Sequence, residues 1–318
     1  SFIHKARKSP KKIVFPEGEE TKILRAAQIV VDENIAHPIL LGDPNVIKNK
    51  AKEIGASLEG IQIIDPATSA NYKNYLEKFY DNRKRKGVTH FDAERLLKTP
   101  NYFGMMMVRE GEADGLISGL TQHYPDTVKP ALQIIGHKDD TSVVAGLYML
   151  IFKNQIIFIA DATINIEPNA EELAQIAILT AEKVRKYDVE PNIAMLSFSN
   201  FGSVHHPLAD KVREAVKIVK KKMPNLNIDG EMQADTAVTP EILSEIYPFS
   251  SLKSGANVLI CPDLTSANIA YKLLARLGGA TAVGPILMGI RKPVYLLIPG
   301  NDVSDIVNIT AIAVQDAQ

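Results

Sequence analysis

Three hydroxyls crowd into the short stretch Leu196-Ser-Phe-Ser-Asn-Phe-Gly-Ser203: Ser197, Ser199 and Ser203. His205-His206-Pro207 follows, and Pro207 opens an amphipathic run. Hydroxyls, a glycine that admits backbone N–H groups and a helix start together suit a phosphate or another anion. The same residues also suit a plainer role, with Ser203 as helix N-cap and His206 on the surface. A second cluster is Asp229-Gly-Glu-Met-Gln-Ala-Asp235, where three acids within seven residues could hold Mg²⁺ or trade protons. They could equally cap a solvated loop. A third is the basic tetrad Arg83-Lys-Arg-Lys86, whose charges suit a helix C-terminus. Four consecutive charges point all round a helix, so at most two face one ligand. The histidines at 37, 90, 123, 137, 205 and 206 show no H-x-x-x-H or H-E-x-x-H spacing, and no metal site is expected. Cys261 ends an apolar run before Pro262 and reads as a buried, inert thiol.

Elements must place these residues, and their pattern is alternating. Lys12–Phe15, His37–Leu41, Ile61–Ile64, Asp114–Gly119, Asn192–Ser197, Leu226–Asp229, Asn257–Cys261 and Pro293–Leu297 read as strands. Between them, Thr21–Asn34, Asn45–Ile54, Asn71–Arg85, Glu171–Tyr187, Pro207–Met223, Thr265–Leu277 and Val303–Ala317 carry apolar residues at helical spacing. Ser142–Phe152 and Gln155–Ala160 read as a hairpin turning at Lys153-Asn154. A βαβα rhythm predicts α/β architecture with mostly parallel sheets, whose ligands bind beyond the carboxyl ends of strands. The basic segment His4 to Lys12 reads as a tether.

Composition narrows the function. The 318 residues carry 36 Lys+Arg against 37 Asp+Glu, a net charge of −1, which disfavours a general nucleic-acid binder. One cysteine allows no internal disulfide. The longest near-apolar run, Val143–Phe152, falls short of the roughly 20 residues of a membrane helix. No membrane partner is expected, and the protein reads as cytoplasmic.

Several segments together resemble the phosphate acetyl/butyryltransferase family. They are Gly104-Met-Met-Met-Val-Arg-Glu-Gly-Glu-Ala-Asp-Gly-Leu-Ile-Ser-Gly119, Ser197–Ser203, Asp229–Asp235, Val258-Leu-Ile-Cys-Pro-Asp263 and Gly284-Pro-Ile-Leu-Met-Gly289. The resemblance implies two three-layer α/β/α domains with a cleft between them, of the isocitrate/isopropylmalate dehydrogenase-like, phosphotransacetylase type. It places domain I at 1–148 plus 286–318, discontinuous, and domain II at 149–285. It implies a homodimer or larger homo-oligomer, and acetyl transfer between coenzyme A and phosphate without a further cofactor in this chain. In that family an aspartate takes the thiol proton, a serine steadies the oxyanion and an adjacent arginine holds phosphate. Asp305 matches the aspartate. Ile298 stands in place of the serine and Pro299 in place of the arginine. Arg83 matches a further anion-binding arginine, Lys129 replaces another, and Ala162 replaces a cysteine.

Loss of one oxyanion donor costs on the order of 10²–10³ in rate. Ile298 has no donor, and Pro299 lacks even an N–H. The pattern is similar to the C-terminal phosphotransacetylase-like domain of long bacterial NADP-dependent malic enzymes. This resemblance implies a catalytically degenerate domain that senses acetyl-CoA and assembles the oligomer. Its partner would be a malic enzyme domain of the same polypeptide, and NADP and a divalent metal would belong there. A chain beginning at Ser1 without Met fits an excised domain. The alternative is an active stand-alone phosphate acetyltransferase.

Overall fold

In the computed structural model, which describes residues 2–318, packing divides the chain into two units. Ser1, on which the expectation of an excised piece rests, lies outside the described residues. One unit holds the chain up to 138 together with 290–318; the other holds 139–289. The latter limits differ from the expected 149 and 285 because strands do not divide. Paired strands at 145–151 and 281–288 run in full within the second unit.

The first unit runs α1 (Phe2–Ala6), β1 (Lys11–Phe15), α2 (Thr21–Asp32), β2 (Ala36–Leu41), α3 (Pro44–Ile54), β3 (Gln62–Ile64), α4 (Tyr72–Arg83), α5 (His90–Leu97), α6 (Pro100–Arg109), β4 (Gly115–Ser118) and α7 (Tyr124–Pro130). A π-turn, Ala131–Ile135, extends α7. The second unit comprises β5 (Ala145–Ile151), β6 (Ile156–Ala160), α8 (Ala170–Lys186), β7 (Ile193–Leu196), α9 (Pro207–Lys222), β8 (Ile228–Met232), α10 (Ala234–Val238), α11 (Pro240–Glu245), β9 (Val258–Ile260), α12 (Leu264–Arg276) and β10 (Thr281–Met288). The chain then returns to the first unit as β11 (Val294–Leu296) and α13 (Val303–Ala317).

In the first unit the strand order is β3-β2-β1-β4-β11, all parallel. Parallel strands are buried on both faces, which is why Ile13, Val14 and Phe15 form an unbroken apolar run with no exposure. Helix α6 lies so close on Val14 and Leu116 that a Cβ at Gly104 would sit 2.8 Å from Leu116 Cδ1. In the second unit the order is β10-β5-β6-β9-β7-β8; β5 pairs antiparallel with both neighbours and the other pairs are parallel. The β5–β6 hairpin closes where Phe152 N–H donates to Gln155 O, around the turn read from Lys153-Asn154.

Local signals set the helix starts. Asp43 caps α3 ahead of Pro44, and reciprocal capping boxes join Thr89 with Asp92, Asn169 with Glu172 and Asp302 with Asp305.

One expectation changes, and two further elements come into view. The basic N-terminal segment is no tether: α1 packs on α13, Ala6 is buried, and Gln318 Nε2 donates to Ser9 O at 3.0 Å. The stretch after Pro100 is helix α6, since proline suits a first helical turn. Residues 281–288 form a strand despite an internal Gly284-Pro285, because a register shift between Val283 and Ile286 takes both residues out of the ladder. No helix among the described residues is long and apolar enough to cross a membrane.

Candidate functional site

In the first unit, adjacent strands β1, β4 and β11 end side by side, and their exits form one polar network. Glu17, just past β1, is 7% exposed. Its carboxylate accepts from the N–H groups of Gly119 (2.8 Å), Leu120 (2.9 Å) and Thr121 (2.6 Å), and from the Thr121 hydroxyl at 2.7 Å. Ser118, ending β4, donates its hydroxyl to Asn101 Oδ1 at 2.8 Å. Asn101 Nδ2 in turn reaches Gln122 Oε1 and the Asp126 carbonyl. The exit loop of β4 is thus fastened from beneath.

The exit of β11 carries Ile298, Pro299 and Asp305. Leu297 N–H donates to Ser118 O at 2.8 Å. Ile298, Pro299 and Gly300 face solvent, while Asn301 is 5% exposed. Asn301 closes the turn reciprocally: its N–H donates to Ile298 O, and its Oδ1 accepts from Ile298 N–H at 2.8 Å. Lys22 Nζ anchors the Asn301 carbonyl at 2.7 Å. Asp305 Oδ2 accepts from Asp302 N–H at 2.9 Å and lies 3.3 Å from Asn301 Nδ2. The backbone N–H of Ile298 is therefore committed, Pro299 has none, and one oxygen of Asp305 serves the capping box.

Arg83 ends α4, half-buried; its buried Nε has no hydrogen-bond partner among the described residues. Burial pushes the Tyr102 phenol up, and the charges of Arg83 and Arg95 oppose that shift. Lys129 stands exposed in the last turn of α7. Neither cation belongs to the hydrogen-bond network that joins Ile298, Asn301 and Asp305.

In the second unit the serine loop leaves β7 and turns inward. Ser199 has no exposure, and its hydroxyl donates to Glu231 Oε1 at 2.9 Å. Val204 N–H donates back to Ser199 Oγ at 3.1 Å. Ser203 Oγ accepts from Asn200 N–H at 3.0 Å, and Ser197 is half-buried. His206, rather than Ser203, caps α9, its Nδ1 accepting from Leu208 N–H. Glu231, on β8, is wholly buried and also accepts from Gly202 N–H (2.8 Å), Arg213 Nε (3.0 Å) and Arg213 Nη2 (3.0 Å). Burial pushes its carboxyl up, but the Arg213 bond, the Gly202 N–H and the Ser199 hydroxyl outweigh this and hold it below the ordinary value.

The three acids of 229–235 do not converge. Asp229 accepts from Lys220 Nζ and the Ser250 hydroxyl, Glu231 faces Arg213, and Asp235 is exposed in α10. No group of three or more His, Cys, Asp or Glu placed to hold a metal ion occurs among the described residues. Ala162 is buried beyond β6, next to Asp161. Burial pushes the Asp161 carboxyl up, against N–H donation from Asn165, Gly146, Thr163 and Ile164.

Cys261 is 3% exposed, and burial, aided by Asp263, pushes its thiol up to about 12. A disulfide reagent at pH 8 is accordingly expected to label Cys261 only after urea unfolds the chain; rapid labelling of the native protein would contradict this burial.

Composition and spacing missed the hubs Glu17 and Asn301, and singled out Glu231 only as one of three acids suited to a metal or a proton. For Glu17 the available signal was an acid two residues beyond a buried strand, in Phe15-Pro-Glu17.

Comparison with known proteins gives a consistent likeness. The family model described as Phosphate acetyl/butaryl transferase matches residues 1–314. A phosphate acetyltransferase of Clostridium acetobutylicum is 41% identical over 98% of this chain and 96% of that protein. The NADP-dependent malic enzyme of Escherichia coli is 40% identical over all of this chain, which spans only 42% of that protein. The crystal structure of a phosphotransacetylase from Streptococcus pyogenes superposes with a TM-score of 0.94 at 40% identity, covering 99% of this chain and 98% of that one.

Proposed function

Because the chain belongs to the Phosphate acetyl/butaryl transferase family, we propose that it exchanges an acetyl group between coenzyme A and inorganic phosphate. The observation that carries this reading is the likeness to phosphate acetyltransferases along nearly the full length of both partners, at 41% and 42% identity in two of them. In the exchange, Asp305 takes the thiol proton and the sulfur attacks the carbonyl of acetyl phosphate. The C–S bond forms, the C–O bond to phosphate breaks, and phosphate leaves. Arg83 and Lys129 are the cations this reading assigns to the substrate anions.

Residues 298 and 299 set the rate. The Ile298 side chain offers no donor and its N–H is held by Asn301. Pro299 offers neither a cation nor an N–H. Turnover by this chain is therefore expected to fall on the order of 10²–10³ below that of a site with an oxyanion donor.

A second reading is favoured by that same pair and by the malic enzyme relative. In it the chain binds acetyl-CoA without reacting it, as the regulatory part of an NADP-dependent malic enzyme. One experiment separates the two. Acetyl-CoA and phosphate are mixed with the chain, and acetyl phosphate and free CoA are followed, with calorimetric titration of acetyl-CoA alongside. The first reading expects slow turnover that Asp305→Asn lowers about a further hundredfold or more, the low end of what a general base contributes. Binding with no turnover supports the second, and absence of both overturns the two together.

A further inference from the structure

Glu17 has no part in the chemistry above, yet it is a buried carboxylate that no ion pair reaches among the described residues. Its partners are dipoles. Three successive N–H groups, of Gly119, Leu120 and Thr121, converge on it with the Thr121 hydroxyl. Such a concavity of consecutive amides ordinarily takes an anion. Here the anion is the chain's own side chain. Gly119 permits the arrangement with a φ of 118°, a region that side-chain-bearing residues avoid.

What this loop supports gives Glu17 its consequence. The strand order β1-β4-β11 sets the exits of the three strands side by side, with Leu296 opposite Ser118. Leu297 N–H donates to Ser118 O, and a Cβ at Gly119 would lie 2.6 Å from Leu297 O, so the β4 exit is the bed on which Leu297 rests. Ile298 follows directly, and the Asn301 turn carries the register on to Asp305. A carboxylate lost from beneath this bed would leave three adjacent amides without acceptors. Buried amides do not stay unpaired, so the loop would move.

We infer that Glu17 is a positioning residue for the segment Leu297–Asp305: an internal anion that fixes the β4 exit and, through Ser118 and Gly119, the β11 exit. The functional side of this inference rests on the reading of Asp305 and its neighbours as the acetyl-transfer segment.

The test compares hydrogen exchange in the wild type, Glu17→Ala and Glu17→Gln, each in sodium formate and in sodium chloride of equal ionic strength. Formate is a carboxylate small enough for the space the alanine variant leaves. Peptides covering 118–121 and 297–301 are expected to exchange at least about tenfold faster in Glu17→Ala, while those of α3 and β3 are unmoved, the mark of local rather than global opening. Formate should restore protection and chloride should not. Glu17→Gln, which keeps the shape and one acceptor oxygen, should show the same local pattern more weakly, and carries the test if the alanine variant does not fold. Acetyl-CoA affinity should fall with the alanine substitution and return with formate. A uniform speeding across the unit, no change at 297–301, or failure of formate would overturn the inference. A wild type that neither binds acetyl-CoA nor turns over would instead overturn the proposed function and leave the exchange result to judge Glu17.

Discussion

Converting Ile298 to Ser and Pro299 to Arg together is expected to raise acetyl phosphate formation on the order of 10²–10³ over the wild type, the size of one oxyanion donor. The serine hydroxyl supplies the missing donor, and the arginine supplies a fork for a phosphate dianion that a proline cannot offer. Both positions tolerate the change. Ile298 is 41% exposed and Pro299 faces solvent, so little packing is lost, and exposed substitutions usually stay within about 0.5 kcal/mol. The Asn301 turn holds through the backbone of Ile298, which the substitution keeps. The two gains need not multiply, because groups that act on one transition state are not additive. Adding Asp305→Asn should remove the gain, and a melting temperature near that of the wild type should exclude refolding as its source. A double variant no faster than the wild type would mean that residues 298–305 do not face the reacting carbonyl. The measurement also bears on the second reading, since turnover appearing from nothing would mark a binding site with its catalytic pair removed.

The sequence makes the elements legible where burial and alternation agree. Ile13–Phe15, Ile193–Leu196 and Val258–Ile260 are buried parallel strands, and their unbroken apolar runs announce them. Reciprocal caps such as Asn169 with Glu172 lie within three residues and are equally visible. β10 is hidden because Gly284-Pro285 breaks the local pattern, and only pairing with β5 on both sides of the break makes it a strand. The site divides the same way. Ile298, Pro299 and Asp305 stand out by their positions along the chain. The network that holds them does not, since Glu17 meets residues 102–104 positions away and Lys22 meets Asn301 279 positions away. Ser199 shows the opposite error: a hydroxyl in a glycine-bearing loop looks available to a ligand, but a buried carboxylate on β8 needs donors and takes it.

That carboxylate should matter for stability more than any exposed charge in the chain. Glu231→Ala is expected to cost a few kcal/mol, at about 1–3 kcal/mol for each buried donor left without its acceptor. The loss leaves the Gly202 N–H and the Ser199 hydroxyl without their acceptor and takes from Arg213 both of its bonds to Oε1 and Oε2. Glu231→Gln should cost less, since it keeps one acceptor and the volume. The dependence on pH separates charge from shape. Because the folded carboxyl lies below its unfolded value, its charge stabilises the fold above about pH 4.3, the ordinary glutamate value, and that contribution fades as acid protonates the folded form. Urea unfolding from pH 7 down to pH 3 should therefore show the wild type and Glu231→Gln far apart near neutrality and converging in acid. A gap that stayed constant over that range would mean that hydrogen-bond geometry and packing, not the ion pair with Arg213, hold the serine loop against β8.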